Sequence, residues 1–190
     1  MDLNAKINSI KPEETQRNIL SIEELNQLIK TECQNPLLKR VALFSALTGL
    51  RFSDIQKLKW GEFEYIEGDG YYLCFRQQKT DGIERIPISE QAVQLMGEPK
   101  EKDKNVFEGL KYSAYQNKHL HQWIGASGIT KNITFHCFRH TYATIQLNQG
   151  TDLYTVSKML GHKDIKTTQI YAKIVDQTKK DTINRINLDF

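Results

Sequence analysis

The sequence predicts a mostly α domain carrying one small three-stranded antiparallel sheet, an α+β chain. Three observations predict it. Apolar residues recur at helical spacing in residues 21–60 and again from 112 onward, with capping residues at the openings of the runs. Between residues 62 and 89 the period drops to two, and aromatic and β-branched residues are interrupted by Gly-Asp-Gly and Thr-Asp-Gly turns. A chain of 190 residues, 39% hydrophobic and 26% charged, has the size and composition of one globular unit with a sizeable core.

Residues 1–18 lack apolar periodicity and contain Lys11-Pro12, so they read as a linker or arm. Ser21 with Glu24 forms a capping box, and Leu25, Leu28 and Ile29 continue a first helix. Asn35-Pro36 opens a second helix over 37–47, rich in Leu, Val, Ala and Phe and therefore buried. Gly49 breaks it, Arg51 emerges from the turn, and Ser53-Asp54 caps a third helix running to Trp60. Strands are predicted over 62–66, 71–76 and 84–89, a meander with Lys79 at the tip of its second hairpin. Ser89-Glu90 caps a helix ending at Met96, residues 97–105 form a charged exposed loop, and 112–124 form a further amphipathic helix. Thr134 is the N-cap of a helix over 135–147, and Gly150 ends it. Thr151 or Asp152 caps the next helix, which turns Leu153, Val156 and Leu160 inward, and Gly161 presents His162 beside its end. Tyr171 lies in a short segment over 166–174, and residues 176–190 make a polar tail bearing Ile183, Ile186, Leu188 and Phe190.

The composition excludes several classes. No run of about 18 apolar residues is present, so no membrane-spanning helix is expected. The polar N-terminus has no apolar core of a signal peptide. Three scattered cysteines (Cys33, Cys74, Cys137) argue against a disulfide framework and for a reducing cytosol. Charge is unevenly spread. Residues 111–190 hold 11 Lys+Arg against 5 Asp and no Glu, a net +6, whereas the first 110 hold 15 basic and 18 acidic groups, a net −3. A basic C-terminal part is a modest footprint of a polyanionic partner, and a solvated surface with chance asymmetry is the other reading.

The residues able to carry chemistry concentrate in 134–171. His136, Arg139 and His140 stand three and four apart on one helix and share a face. Arg139 and Arg51 sit among apolar residues, where an arginine does more than solubilise, and their planar forks suit the non-bridging oxygens of a phosphate. Each also fits a structural ion pair. Lys79 reads either as a merely exposed hairpin lysine or as a mobile acid reaching into a cleft. The histidines admit hydrogen bonding to phosphate, proton transfer or metal binding. His119 and His121 extend the metal option, but Cys137 points away from the His136/His140 face and no CxxC or HExxH pattern exists. Tyr171 fits a core aromatic, or a nucleophile provided that cations surround its phenol.

Taken together and in order, five segments decide between these options: 48–54 (TGLRFSD), 78–80 (QKT) leading to 85–88 (RIPI), 136–141 (HCFRHT), 160–162 (LGH) and 167–171 (TTQIY). The chain resembles the catalytic domain of the tyrosine recombinases, the phage integrase family, over roughly residues 19–175. The resemblance implies that family's fold and the catalytic set Arg51, Lys79, His136, Arg139, His162 and Tyr171. Tyr171 would attack a scissile DNA phosphate to give a 3′-phosphotyrosyl link, with Arg51 and Arg139 clamping its oxygens and His162 hydrogen-bonded to it. His136 would assist as base or hydrogen-bond partner, Lys79 would protonate the leaving 5′-oxygen, and Asp54 would buttress Arg51. His140 receives only a packing role. Site-specific cleavage and rejoining of DNA would then need no cofactor, metal or ATP.

The implied partners are double-stranded DNA and further copies of the chain, a tetramer in the full-length synaptic complex, with accessory proteins as additional partners and no membrane. The implied location is the cytoplasm, at the nucleoid. Two other readings share these features: a non-catalytic DNA-binding regulator and a type IB topoisomerase-like enzyme. Metal-dependent hydrolysis built on the histidines is a further one. The family usually carries an N-terminal helical domain, for which residues 1–18 are too few, so the chain reads as an excised catalytic domain at 19–175 with weak, salt-sensitive DNA binding. Tail 176–190 is expected to pack either on a neighbouring protomer or back on its own domain.

Overall fold

The computed structural model describes residues 18–77 and 82–171. The linker at 1–17, Lys79 at its hairpin tip and the tail at 176–190 lie outside the described residues. Among the described residues, eight α-helices and one sheet follow in the order α1 (Ile22–Lys30), α2 (Pro36–Thr48), α3 (Phe52–Lys57), β1 (Phe63–Ile66), β2 (Gly70–Arg76), β3 (Ile83–Ile88), α4 (Glu90–Met96), α5 (Ala114–Ala126), α6 (Phe135–Asn148), α7 (Leu153–Met159) and α8 (Lys166–Gln169). The sheet is antiparallel in the order β1-β2-β3, with Leu73 opposite Ile86.

Local chemistry sets the ends of these elements. Ser21 Oγ accepts the Glu24 amide at 3.1 Å while Glu24 Oε2 accepts the Ser21 amide at 2.7 Å, the reciprocal box expected from the sequence. Asn35 Oδ1 caps α2 at Leu38, and Pro36 occupies its first turn, where a missing N–H costs nothing. The far end of α2 stops at Gly49, whose φ of 71° is left-handed. A Cβ there would lie 2.6 Å from the Tyr142 ring, so glycine lets α6 approach this turn. The C-terminus of α4 is closed by Arg40, which donates from Nε to the Leu95 carbonyl at 2.9 Å and from Nη2 to the Met96 carbonyl at 2.6 Å.

The predicted third helix is shorter than expected and begins earlier. Arg51, not Ser53-Asp54, occupies the N-cap position, Asp54 falls in the first turn, and the helix ends at Lys57. The reason is a long-range pairing: the Val106 amide donates to Leu58 O at 2.8 Å and the Trp60 amide to Lys104 O at 3.0 Å. That draws residues 58–60 out of helical geometry and against the charged loop, which is pinned by its backbone while its charged side chains face solvent. Gly125, expected just past α5, lies within its last turn.

Helices α2 and α6 form the centre. Val41, Ala42 and Phe44 of α2 and Phe138 of α6 are fully buried, and the Phe138 ring stacks on Trp123 of α5 with centroids 6.3 Å apart. Truncating Phe138 to alanine costs about 3–5 kcal/mol on these grounds. The remainder of α6 turns its apolar side to a second cluster, in which Tyr142, Ala143 and Leu147 meet Val156, Leu160 and Tyr171. The segment before α1 is tied down by the Leu20 amide donating to Thr141 Oγ1 at 2.9 Å. No helix among the described residues is long and apolar enough to cross a membrane.

Candidate active site

Helix α6 runs between the two clusters, and Arg139 sits in its second turn with 3% exposure. Its guanidinium donates from Nη1 to Gly49 O at 2.6 Å and from Nη2 to Leu160 O at 2.7 Å, and Nη2 lies 3.0 Å from His162 Nε2. One side chain thus joins the end of α2, which leads to Arg51, to the end of α7, which leads to His162. These partners are neutral, so burial and the charge of Arg51 push the Arg139 pKa down to about 10, while Tyr171 and Asp54 oppose the fall. It remains cationic at neutral pH.

The His162 tautomer follows from its neighbours. A guanidinium only donates, so Nε2 accepts from Arg139 and the proton resides on Nδ1, which donates to Thr168 Oγ1 at 2.8 Å. Burial, then Arg139, Arg51 and His136, push the pKa of this imidazole down to about 4. It is neutral at pH 7.

Arg51 is largely covered, its side chain 15% exposed, and sits 3.7 Å from the fully buried Asp54 carboxylate. Its Nη1 donates to Gln77 Oε1 at 3.1 Å. Gln77, 2% exposed, follows β2, and its amide packs so tightly on the Gly161 turn that a Cβ on Gly161 would fall 1.7 Å from Nε2. Gly161 is also left-handed, at φ 60°. Gln77 therefore holds Arg51 on one side and the loop bearing His162 on the other.

Tyr171 is buried at 3% exposure, with its amide donating to Thr168 O at 3.0 Å. Its hydroxyl lies 2.5 Å from His140 Nδ1. The His140 ring in turn meets the exposed His136 ring edge-on, centroids 4.3 Å apart at 81°. The packing role expected for His140 is therefore incomplete: it is buried, and it also contacts the phenol through a polar atom. Cys137 Sγ turns back to the Thr134 amide at 3.4 Å, away from the histidines. No group of three or more His, Cys, Asp or Glu among the described residues is placed to hold a metal ion.

Of the predicted set, Arg51, His136, Arg139, His162 and Tyr171 come together, while Lys79 lies outside the described residues. Sequence reasoning passed over Gln77 and undervalued His140. A signal for Gln77 existed, because it continues the buried alternation of Leu73 and Phe75 and is thus a polar residue on an inward position. His140 shares the helix face of His136 and adjoins Arg139.

The sequence model of the phage integrase family matches residues 19–178. The chain is 32% identical to the tyrosine recombinase XerD of Lacticaseibacillus casei over 176 residues, covering 83% of this chain and 59% of that protein. It is 29% identical to the tyrosine recombinase XerD of Listeria innocua, covering 96% of this chain and 66% of that protein. The chain therefore spans about six tenths of the length of these curated relatives. Among solved structures, the XerA recombinase superposes with a TM-score of 0.69 at 22% identity, covering 94% of this chain and 67% of that one. The catalytic domain of bacteriophage HP1 integrase superposes with a TM-score of 0.66 at 20% identity, covering 88% and 94%. At such identities the structural likeness speaks for the fold.

Proposed function

The chain belongs to the phage integrase family, and on that premise we propose that it is the catalytic part, residues 19–175, of a site-specific DNA recombinase. Tyr171 Oη attacks the scissile phosphorus, the bond from phosphorus to the 5′-oxygen breaks, and a 3′-phosphotyrosyl link and a 5′-hydroxyl result. Arg51 and Arg139 donate to the non-bridging oxygens as charge develops there. His162 joins them once the phosphate displaces the guanidinium from Nε2 and the ring reprotonates. His136 stands at the mouth of the site as a hydrogen-bond partner, and Lys79 supplies the proton to the leaving oxygen. Fixed cations take the part that metal ions play in other phosphoryl-transfer sites, and the covalent intermediate conserves the bond for rejoining without ATP. Because Tyr171 is covered, DNA must open the site before attack, a gating step of ordinary kind.

The observation that carries this reading is convergence: Arg139 Nη2 lies 3.0 Å from His162 Nε2, and Gln77 ties Arg51 to the loop that bears His162. Arg51 lowers the proton affinity of both Arg139 and His162, and Arg139 lowers that of His162. Groups that repel one another around a single buried carboxylate, Asp54, beside a phenol form a ready seat for an anion. The substrate is double-stranded DNA, with several copies acting together on it, four in the synaptic complex of the full-length protein, and accessory proteins joining there.

A nicked suicide duplex tests the proposal. The intact chain should form a covalent protein–DNA adduct that survives a chelator, and Tyr171→Phe should form none. Adduct formation by Tyr171→Phe, or its complete loss in a chelator, refutes the assignment. A non-catalytic regulator would bind the duplex and form no adduct at all.

A further inference from the structure

We propose that His140 is the proton acceptor for Tyr171, taking the phenolic proton on Nδ1 as the nucleophile attacks. The inference rests on the recombinase reading above and deepens it, giving to His140 the base role for which the family resemblance offers His136.

A free phenol has a pKa of about 10, so about one in a thousand is ionised at pH 7, and attack at a useful rate requires removal of the proton. His140 Nδ1 lies 2.5 Å from the Tyr171 hydroxyl, with both residues buried from water. That is the reach a general base needs, already met in the resting protein. The other imidazoles are less suited. His162 has both ring nitrogens engaged, with Thr168 and with Arg139, and its depressed pKa makes it a weak acceptor. His136 is exposed, and its ring lies against the edge of His140. That contact restricts rotation of the His140 ring, as the orienting third member does in other nucleophile–base pairs. Arginines have no acceptor to offer.

Helix α6 supplies the framework. Arg139 and His140 are consecutive on one rigid helix, so the group that holds the phosphate and the group that activates its attacker cannot drift apart. The step balances in protons and bonds. The hydroxyl proton passes to Nδ1, the bond from Oη to phosphorus forms, the bond from phosphorus to the 5′-oxygen breaks, and that oxygen takes its proton from Lys79. The imidazolium left on His140 lies beside the phosphate, whose negative charge offsets the nearby Arg139. In rejoining, the 5′-hydroxyl gives its proton back to Lys79 as it attacks, the phosphotyrosyl bond breaks, and the proton on Nδ1 returns to the Tyr171 oxygen.

The test uses single-turnover adduct formation on the suicide duplex with His140→Asn, which keeps a hydrogen-bond acceptor near the Nδ1 position but cannot hold a proton. The adduct rate should fall about 100-fold or more, the usual contribution of a general base. Replacing Tyr171 with 3,5-difluorotyrosine, whose phenol ionises more readily, should restore most of that loss in the His140→Asn chain. It should change the rate of the unsubstituted chain less than about threefold. An unchanged or faster adduct rate in His140→Asn overturns the inference and leaves the contact as a resting latch. A stimulation of the unsubstituted chain by difluorotyrosine well above about threefold also overturns it, and that readout needs no His140 variant to fold. If the unsubstituted chain binds the duplex and forms no adduct, the recombinase reading itself falls, and this inference with it.

Discussion

Gly161→Ala is a sharp probe of how the site is assembled. The new Cβ would sit 1.7 Å from Gln77 Nε2, closer than any real contact, so the Gln77 amide must leave its place. Gly161 is also held at φ 60°, where a side chain costs about 1–2 kcal/mol. Displacing Gln77 breaks its hydrogen bond with Arg51, a further loss of about 1.5–3 kcal/mol for a bond to a charged group. The variant should therefore be destabilised by about 2.5–5 kcal/mol. Gln77→Ala alone loses the same hydrogen bond and leaves a small void, about 2–3 kcal/mol. In the double variant the clash has already gone and only the backbone cost is added. The two losses should thus fall short of additivity by at least about 1 kcal/mol. Urea denaturation of the four proteins measures this. Additivity within about 0.5 kcal/mol would refute the claim that Gln77 couples the Arg51 turn to the His162 loop.

Three further outcomes follow from the same geometry. His162 is held near pKa 4 in the folded chain against about 6.5 unfolded, so the unfolded chain binds more protons between these values and stability falls as pH drops from about 6.5 to about 4. With the ring half exposed, the loss should be on the order of 1–2 kcal/mol, and His162→Gln should flatten denaturation midpoints across that window. Arg139→Met leaves the Gly49 and Leu160 carbonyls without their donor, so it should lose about 2–4 kcal/mol by chemical denaturation, with Arg139→Lys losing less because its ammonium still answers one of the two. DNA affinity measured by fluorescence anisotropy should fall steeply with salt, with a log–log slope of about −0.9 per phosphate neutralised, and a flat response would contradict phosphate-led binding.

The parts of this molecule that local rules govern were legible in its residues. The Ser21 box, the Asn35-Pro36 start, the Gly49 stop and the two-residue period of the sheet each depend on neighbours in sequence, and each stands where the sequence puts it within a residue or two. The Arg139–His136 face of α6 was visible for the same reason. What escaped depends on partners far along the chain. The short α3 reflects pairing of Leu58 and Trp60 with residues near 105, which no local pattern announces. The bond of His140 to Tyr171 spans 31 positions and needs α8 folded back on α6. Gln77 looked like an ordinary polar residue before a turn until Gly161 was found lying on it.

Arg139 gives up its donors to the carbonyls that close two helices. The residue that would grip substrate is therefore also a rivet of the architecture, and its two duties cannot be selected separately. A lineage discarding chemistry while keeping a sound scaffold would sooner lose the phenol at 171 than this guanidinium, since the former leaves both carbonyls answered. Silent descendants of this fold should keep the arginine.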